Sequence, residues 1–144
     1  MVASLIFLSQ TGCNSNDDVE LPWRIEKSKK NITNETANIS LIISNNGTTS
    51  RGIQLILLNK STAEILLGRS YFIQILKDNV WYDIVLKNAD WPLDLLVLPS
   101  DSEVLIKIDW FPIYGELPLG KYRIIKEYTL ENSKSFVFCE FEIT

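Results

Sequence analysis

The chain predicts an all-β sandwich of about seven to eight antiparallel strands, and three features point there. Short apolar runs alternate with polar residues at the period of two expected of half-buried strands. Turn-forming residues separate these runs at nearly even spacing. No stretch sustains the 3.6-residue period of a helix. At 144 residues, with 46% hydrophobic and 22% charged, the chain suits one globular domain with a real core.

Taken in order, residues 14–36 read as a polar tether, with a first edge strand near Trp23–Ile25. From residue 37 to 144 the strand pattern takes over. Ile39, Leu41 and Ile43 alternate, and Asn45-Asn46-Gly47 predicts a tight turn. Ile53, Leu55 and Leu57 form the next strand, and Ala63–Leu67 reads as a helical turn. Tyr71, Ile73 and Ile75 are followed by Lys77-Asp78-Asn79 and Val80–Leu86, a hairpin. Residues 87–92 form a loop, and Leu93–Leu98 a strand closed by Pro99. Val104, Ile106, Ile108 and Trp110 alternate with Leu105, Lys107 and Asp109, the cleanest half-buried strand in the chain. Tyr122, Ile124 and Tyr128, then Phe136–Ile143, complete the set.

Composition excludes several chemistries. There is no histidine, which removes the commonest general base, pH switch and metal ligand together. Two cysteines and no histidine cannot build a Cys/His zinc site. Asp17-Asp18 and Asp101-Ser102-Glu103 lack the ligand spacing and central glycine of an EF-hand loop. The net charge of -4, with scattered lysines and arginines, argues against nucleic-acid binding. A hydrolase would have to use an acid pair such as Asp83 and Asp90, and nothing selects that pair. No cofactor and no metal is expected, and the chain reads as a non-enzyme.

Cys139 lies in phase with Val137, Phe141 and Ile143, so its thiol reads as a small core hydrophobe without an activating base. Cys13 differs. It follows the apolar run Val2–Leu8 and the small residues Ser9-Gln10-Thr11-Gly12, the shape of a secretory signal. Small residues before a cysteine and the polar Asn14–Asp18 after it resemble the lipobox of bacterial lipoproteins. That resemblance implies that residues 1–13 are a truncated signal segment, with Cys13 the lipidated first residue of the mature chain. Gln10 stands where a lipobox prefers leucine, and no Lys or Arg precedes the apolar run, as a start assigned too late would explain. A frayed apolar N-terminus and a Cys13–Cys139 disulfide are the competing readings. Seven apolar residues cannot span a bilayer.

Gly120-Lys121-Tyr122 has the spacing of a tyrosine corner, in which a tyrosine hydroxyl bonds back to the chain where it crosses between sheets. Together with Trp81-Tyr82, Leu98–Glu103, Ile108-Asp109-Trp110, Tyr114–Ile124 and Glu140–Ile143, it resembles the bacterial immunoglobulin-like domains of exported Gram-positive lipoproteins and surface proteins. The resemblance covers residues 37–144. It implies an immunoglobulin-like β-sandwich outside the cytoplasm, anchored to the membrane by lipid only and without catalytic residues to carry over. The expected role is binding, adhesion or assembly at the cell envelope, with an envelope protein or peptide as partner. The alternative is an inhibitor of secreted proteases that inserts the loops 87–92 and 110–115 into an active-site cleft.

Large aromatics mostly pack in cores. Trp91 beside Pro92, and Trp110, Phe111 and Tyr114 around Pro112, are the exceptions singled out as binding-loop residues. Asn31, Asn34, Asn38, Asn46 and Asn59 match the glycosylation sequon, a nonspecific signal. Ile42, Ile56, Leu58, Phe136 and Phe138 all lie opposite the presumed core and predict a face covered by the N-terminal segment or by a partner chain.

Overall fold

The computed structural model describes residues 21–33, 38–88 and 90–144; Cys13 and the signal segment at 1–13 lie outside them. Among the described residues there are ten strands in two antiparallel sheets, more than the seven to eight expected. The smaller sheet holds β2 (Ile39–Thr48), β3 (Gly52–Asn59) and β8 (Ser102–Asp109), in the order β2-β3-β8. The larger runs β1-β6-β5-β9-β4-β7, with β10 on the other edge of β9. Its members are β1 (Trp23–Lys27), β4 (Ile65–Leu67), β5 (Phe72–Lys77), β6 (Val80–Leu86), β7 (Leu96–Leu98), β9 (Gly120–Leu130) and β10 (Ser133–Ile143).

The difference in strand number comes from short segments. Ala63–Leu67, expected as a helical turn, contributes β4, whose Ile65 and Leu67 point inward on the strand period of two. The strand expected over Leu93–Leu98 keeps only its last three residues as β7. Asn45-Asn46-Gly47 is not the turn. Asn46 takes a positive φ of 51° inside β2, where the register with β3 shifts between Ile43 and Thr48. The chain instead reverses at Thr49–Arg51, where the Thr49 hydroxyl accepts the N–H groups of Arg51 and Gly52. Gly52 permits that return, since a Cβ there would lie 2.3 Å from the Ile108 carbonyl oxygen.

The expected Asp78-Asn79 hairpin joins β5 to β6 with both residues at positive φ. The same geometry recurs at Glu131-Asn132 between β9 and β10, where the sequence carries no glycine to announce it. β1 pairs along its length with β6 and sends Trp23 into the core, where the sequence places a first edge strand within the polar tether. After β1 the Ser28 hydroxyl accepts from Gln74, and the Lys30 ammonium lies 4.4 Å from the centroid of the Phe72 ring. Residues 28–30 therefore cross the outer face of β5 in the larger sheet.

β9 organises the larger sheet. Along one edge it pairs with β10 over its whole length; along the other it pairs with β5 at residues 122–125 and with β4 at residues 128–130. Between those partners the chain runs from Gly68 to Ser70 with carbonyls unclaimed by any ladder. The Lys126 ammonium takes two of them, Gly68 at 2.7 Å and Ser70 at 3.0 Å. Buried carbonyls require partners, and Lys126 supplies them where the sheet changes strands.

Candidate functional site

The interior beside Tyr122 is filled by stacked aromatic rings. The Tyr122 hydroxyl donates to the Pro118 carbonyl at 2.6 Å, tying the start of β9 to the crossing that precedes it. Its ring stacks on Phe141 at 5.4 Å, and Phe141 stacks in turn on Trp110 at 5.5 Å. Gly120 is not crowded: a Cβ there would meet the Tyr122 ring at 3.6 Å, ordinary contact. The four residues Phe111–Tyr114 form a short helical turn, α1, with Pro112 in its first turn.

That helical turn corrects the assignment of Trp110 and Tyr114 to a binding loop. Trp110 is 0% exposed and donates its Nε1–H to the Ser50 carbonyl at 2.8 Å. Tyr114 is 2% exposed, and its carbonyl accepts the Trp23 Nε1–H at 2.8 Å. Both rings face the core because the turn folds residues 110–114 back against it. Of the aromatic residues in that loop only Phe111 remains accessible, beneath the Arg51 guanidinium at 3.6 Å.

The opposite side of the sandwich is open. β7 and β8 are joined by the turn at Pro99–Asp101 and then part, and each pairs on one edge only. A cleft of about 550 Å³ lies between them, walled by Leu67 and Leu96 on one side and Val104, Ile106 and Ile108 on the other. Trp91 also lines it, its ring edge-on to Tyr71 at 4.9 Å between centroids. The Arg69 guanidinium bonds Asp94 at 2.7 Å on the rim and holds that exposed carboxylate below its ordinary pKa. Beside the cleft, Leu93 is 95% exposed, Leu95 65%, Leu96 45% and Val97 48%. Among the described residues this is the largest concentration of exposed leucine.

Two buried polar groups line the cleft. Lys126 has no carboxylate partner among the described residues, and burial alone holds its ammonium down to about 8. The Tyr71 hydroxyl is buried without a hydrogen-bond partner, and burial, then the neighbouring Tyr114, pushes its pKa up. Lys126 was not singled out in the sequence, although a signal was there: it falls in the inward phase of Tyr122, Ile124 and Tyr128.

The other polar clusters have structural work. On the outer face of the larger sheet, Arg123 lies between the rings of Trp81 at 4.3 Å and Phe138 at 5.0 Å. It donates to Gln74, and Gln74 donates to Asp83 at 2.6 Å. Asp83 is thereby engaged, while Asp90 lines the cleft; no paired acid arrangement joins them. Asn59 is wholly buried and binds the carbonyls of Ala63, Leu98 and Pro99 while accepting from Ser61, so it ties the β3–β4 loop to the β7–β8 turn and offers no sequon to solvent. Cys139 is half-buried, and burial, then Glu140, raises its thiol pKa, the opposite of an activated nucleophile. Ile42, Ile56 and Leu58 occupy the outer face of the small sheet, while Phe136 and Phe138 occupy that of the large one.

Among the described residues no three acidic or cysteine side chains gather as metal ligands, and no helix is long and apolar enough to cross a membrane. What the geometry defines is an immunoglobulin-like sandwich sealed on one side and open on the other. A profile of the bacterial Ig-like domain matches residues 34–137, and the chain belongs to that family. Modules of this family are typically non-catalytic. No curated protein matches the chain.

Proposed function

We propose that this domain is a non-enzymatic binding module working outside the cytoplasm, anchored by lipid at Cys13, that takes an extended apolar segment of another envelope protein at the β7–β8 seam. One observation carries the reading: two unpaired strand edges flank an apolar cleft whose rim exposes Leu95, Leu96 and Val97. Unpaired edges are templates for another strand, and natural proteins usually blunt them with charge, proline or bulges. Here Pro92 and Pro99 bracket the segment, but residues 95–98 are entirely aliphatic. An added strand would pair its backbone with an edge and place alternate side chains in the cleft.

Selection of displayed peptides of about eight residues, a usual strand length, tests the seam. Peptides enriched on the wild-type domain are expected to be alternately apolar, to protect amides of β7 or β8 from exchange, and to be lost with Leu96→Arg. Enrichment that survives Leu96→Arg would place binding elsewhere. The anchor is tested separately by intact mass of the protein made from its own locus. A diacylglycerol-sized increase on a chain starting at Cys13 is expected, and an unmodified chain retaining Met1 would remove the anchor.

A further inference from the structure

The outer face of the small sheet carries a pattern that suits one partner in particular. Ile42 stands opposite Ile56, and Ile56 opposite Leu105, so three aliphatic side chains form a row across β2, β3 and β8. Ile42 is 45% exposed and Leu105 49%. Leu58 lies in the next row, beside Glu103, and Gln54 in the row on the other side, beside Lys107. Glu103 and Lys107 thus sit two residues either side of Leu105, about 7 Å away along the strand. Both are exposed, and neither forms an ion pair among the described residues.

An apolar row flanked by one acid and one base at equal distances is complementary to itself. A two-fold axis lying along the row turns a second copy over so that row meets row. Strands then run antiparallel across the contact, Glu103 faces the partner's Lys107, and Lys107 faces the partner's Glu103. We infer that this face joins two copies of the chain as a two-fold dimer of small sheets packed face to face. Such sheets stack about 10 Å apart with strands within roughly 30°, which lets the isoleucines and leucines interdigitate. Sheet twist carries the strand ends apart, taking Asp101 and the partner's Asp109 out of opposition. Leu105 and Lys107 also border the cleft, so the dimer face and the seam meet along β8. Three short strands bury less than a standard interface, so the dimer is weak and concentration-dependent.

Sedimentation equilibrium of the full chain from about 1 µM to about 1 mM covers the affinities open to such a contact. A monomer–dimer equilibrium is expected. Ile56→Lys abolishes it while leaving the circular dichroism spectrum unchanged; if that variant does not fold, Ile42→Lys on the edge strand takes its place. Glu103→Lys and Lys107→Glu each weaken the dimer about tenfold, because each sets like charges opposite one another twice per dimer. Both exchanges in one chain restore it. A wild type monomeric throughout, or a dimer surviving the lysine substitution, overturns the interface. A double exchange no tighter than the single ones overturns the two-fold arrangement.

Discussion

The two long sides of this sandwich solve the same problem in opposite ways. Where the sheets meet through β2 and β10, the strands run beside one another, and the Trp110–Phe141–Tyr122 stack fills the neighbouring interior. Where they would meet through β7 and β8, the strands part and leave a cleft between unpaired edges. Both sides are rich in apolar residues, so hydrophobicity alone does not separate them. The separation comes from what the apolar groups face. On the sealed side, rings with polar handles find buried backbone partners, as Trp110 does with Ser50 and Tyr122 with Pro118. On the open side, aliphatic chains face solvent. Under the proposed function, stability rests on one side of the domain and binding on the other.

The sharpest way to break this comparison is to cut the sealed side. Trp110→Ala removes a fully buried ring, its stack on Phe141 and its hydrogen bond to Ser50. Large-to-small changes of this kind cost about 3–5 kcal/mol, a large share of a small domain's stability. Urea unfolding should show a lower midpoint with an unchanged slope. A loss below about 1 kcal/mol, within the range of ordinary surface changes, would mean the stack is not where the stability lies.

Lys126 sharpens the comparison from the boundary between the halves. Burial lowers its pKa in the folded state from 10.5 to about 8, so between those values the unfolded chain binds more protons. Stability therefore rises with pH across that window, by on the order of 1–3 kcal/mol. Below pH 8 the ammonium is charged in both states, and the burial penalty is present in full. Buried Tyr71, Tyr114 and Tyr122 act in the opposite sense from about pH 10, and Cys139 from about pH 9, since their folded pKa values are raised. The Lys126 contribution is read as the difference between wild type and Lys126→Met across pH 7.5–10. A difference flat with pH would show that water reaches the ammonium.

The sandwich was legible in the sequence because long half-buried strands print their period directly, as Val104–Ile108 and Val137–Ile143 do. Short strands print too little. Ile65–Leu67 is three residues, and it becomes a strand because β7 and β9 flank it, a tertiary effect that no local pattern carries. Turn chemistry misled at Asn45-Asn46-Gly47, where the same preference for positive φ serves a bulge. The cleft was half legible: Trp91 was singled out for its place beside a proline in a loop. Lys126 was concealed by the habit of reading lysine as surface, although its inward phase was visible. Trp110 and Tyr114 went the other way, since proline in a loop signals exposure only when no helical turn folds the segment inward.

The smallest expected effect concerns the open side. Leu93 and Leu95 are 95% and 65% exposed, so replacing either with serine removes little apolar area from contact with the protein. Each variant should unfold within about 0.5 kcal/mol of wild type, the range of surface changes that touch no special feature. Leucine is costly to leave in water, and a chain that only needed to fold would gain from polar residues there. Equal stability combined with loss of peptide capture by Leu95→Ser would show that these residues serve binding, independently of the core. A cost above about 1 kcal/mol for either variant would show the opposite: the leucines would then be packed against something in the folded state, and the open side would be a second sealed one.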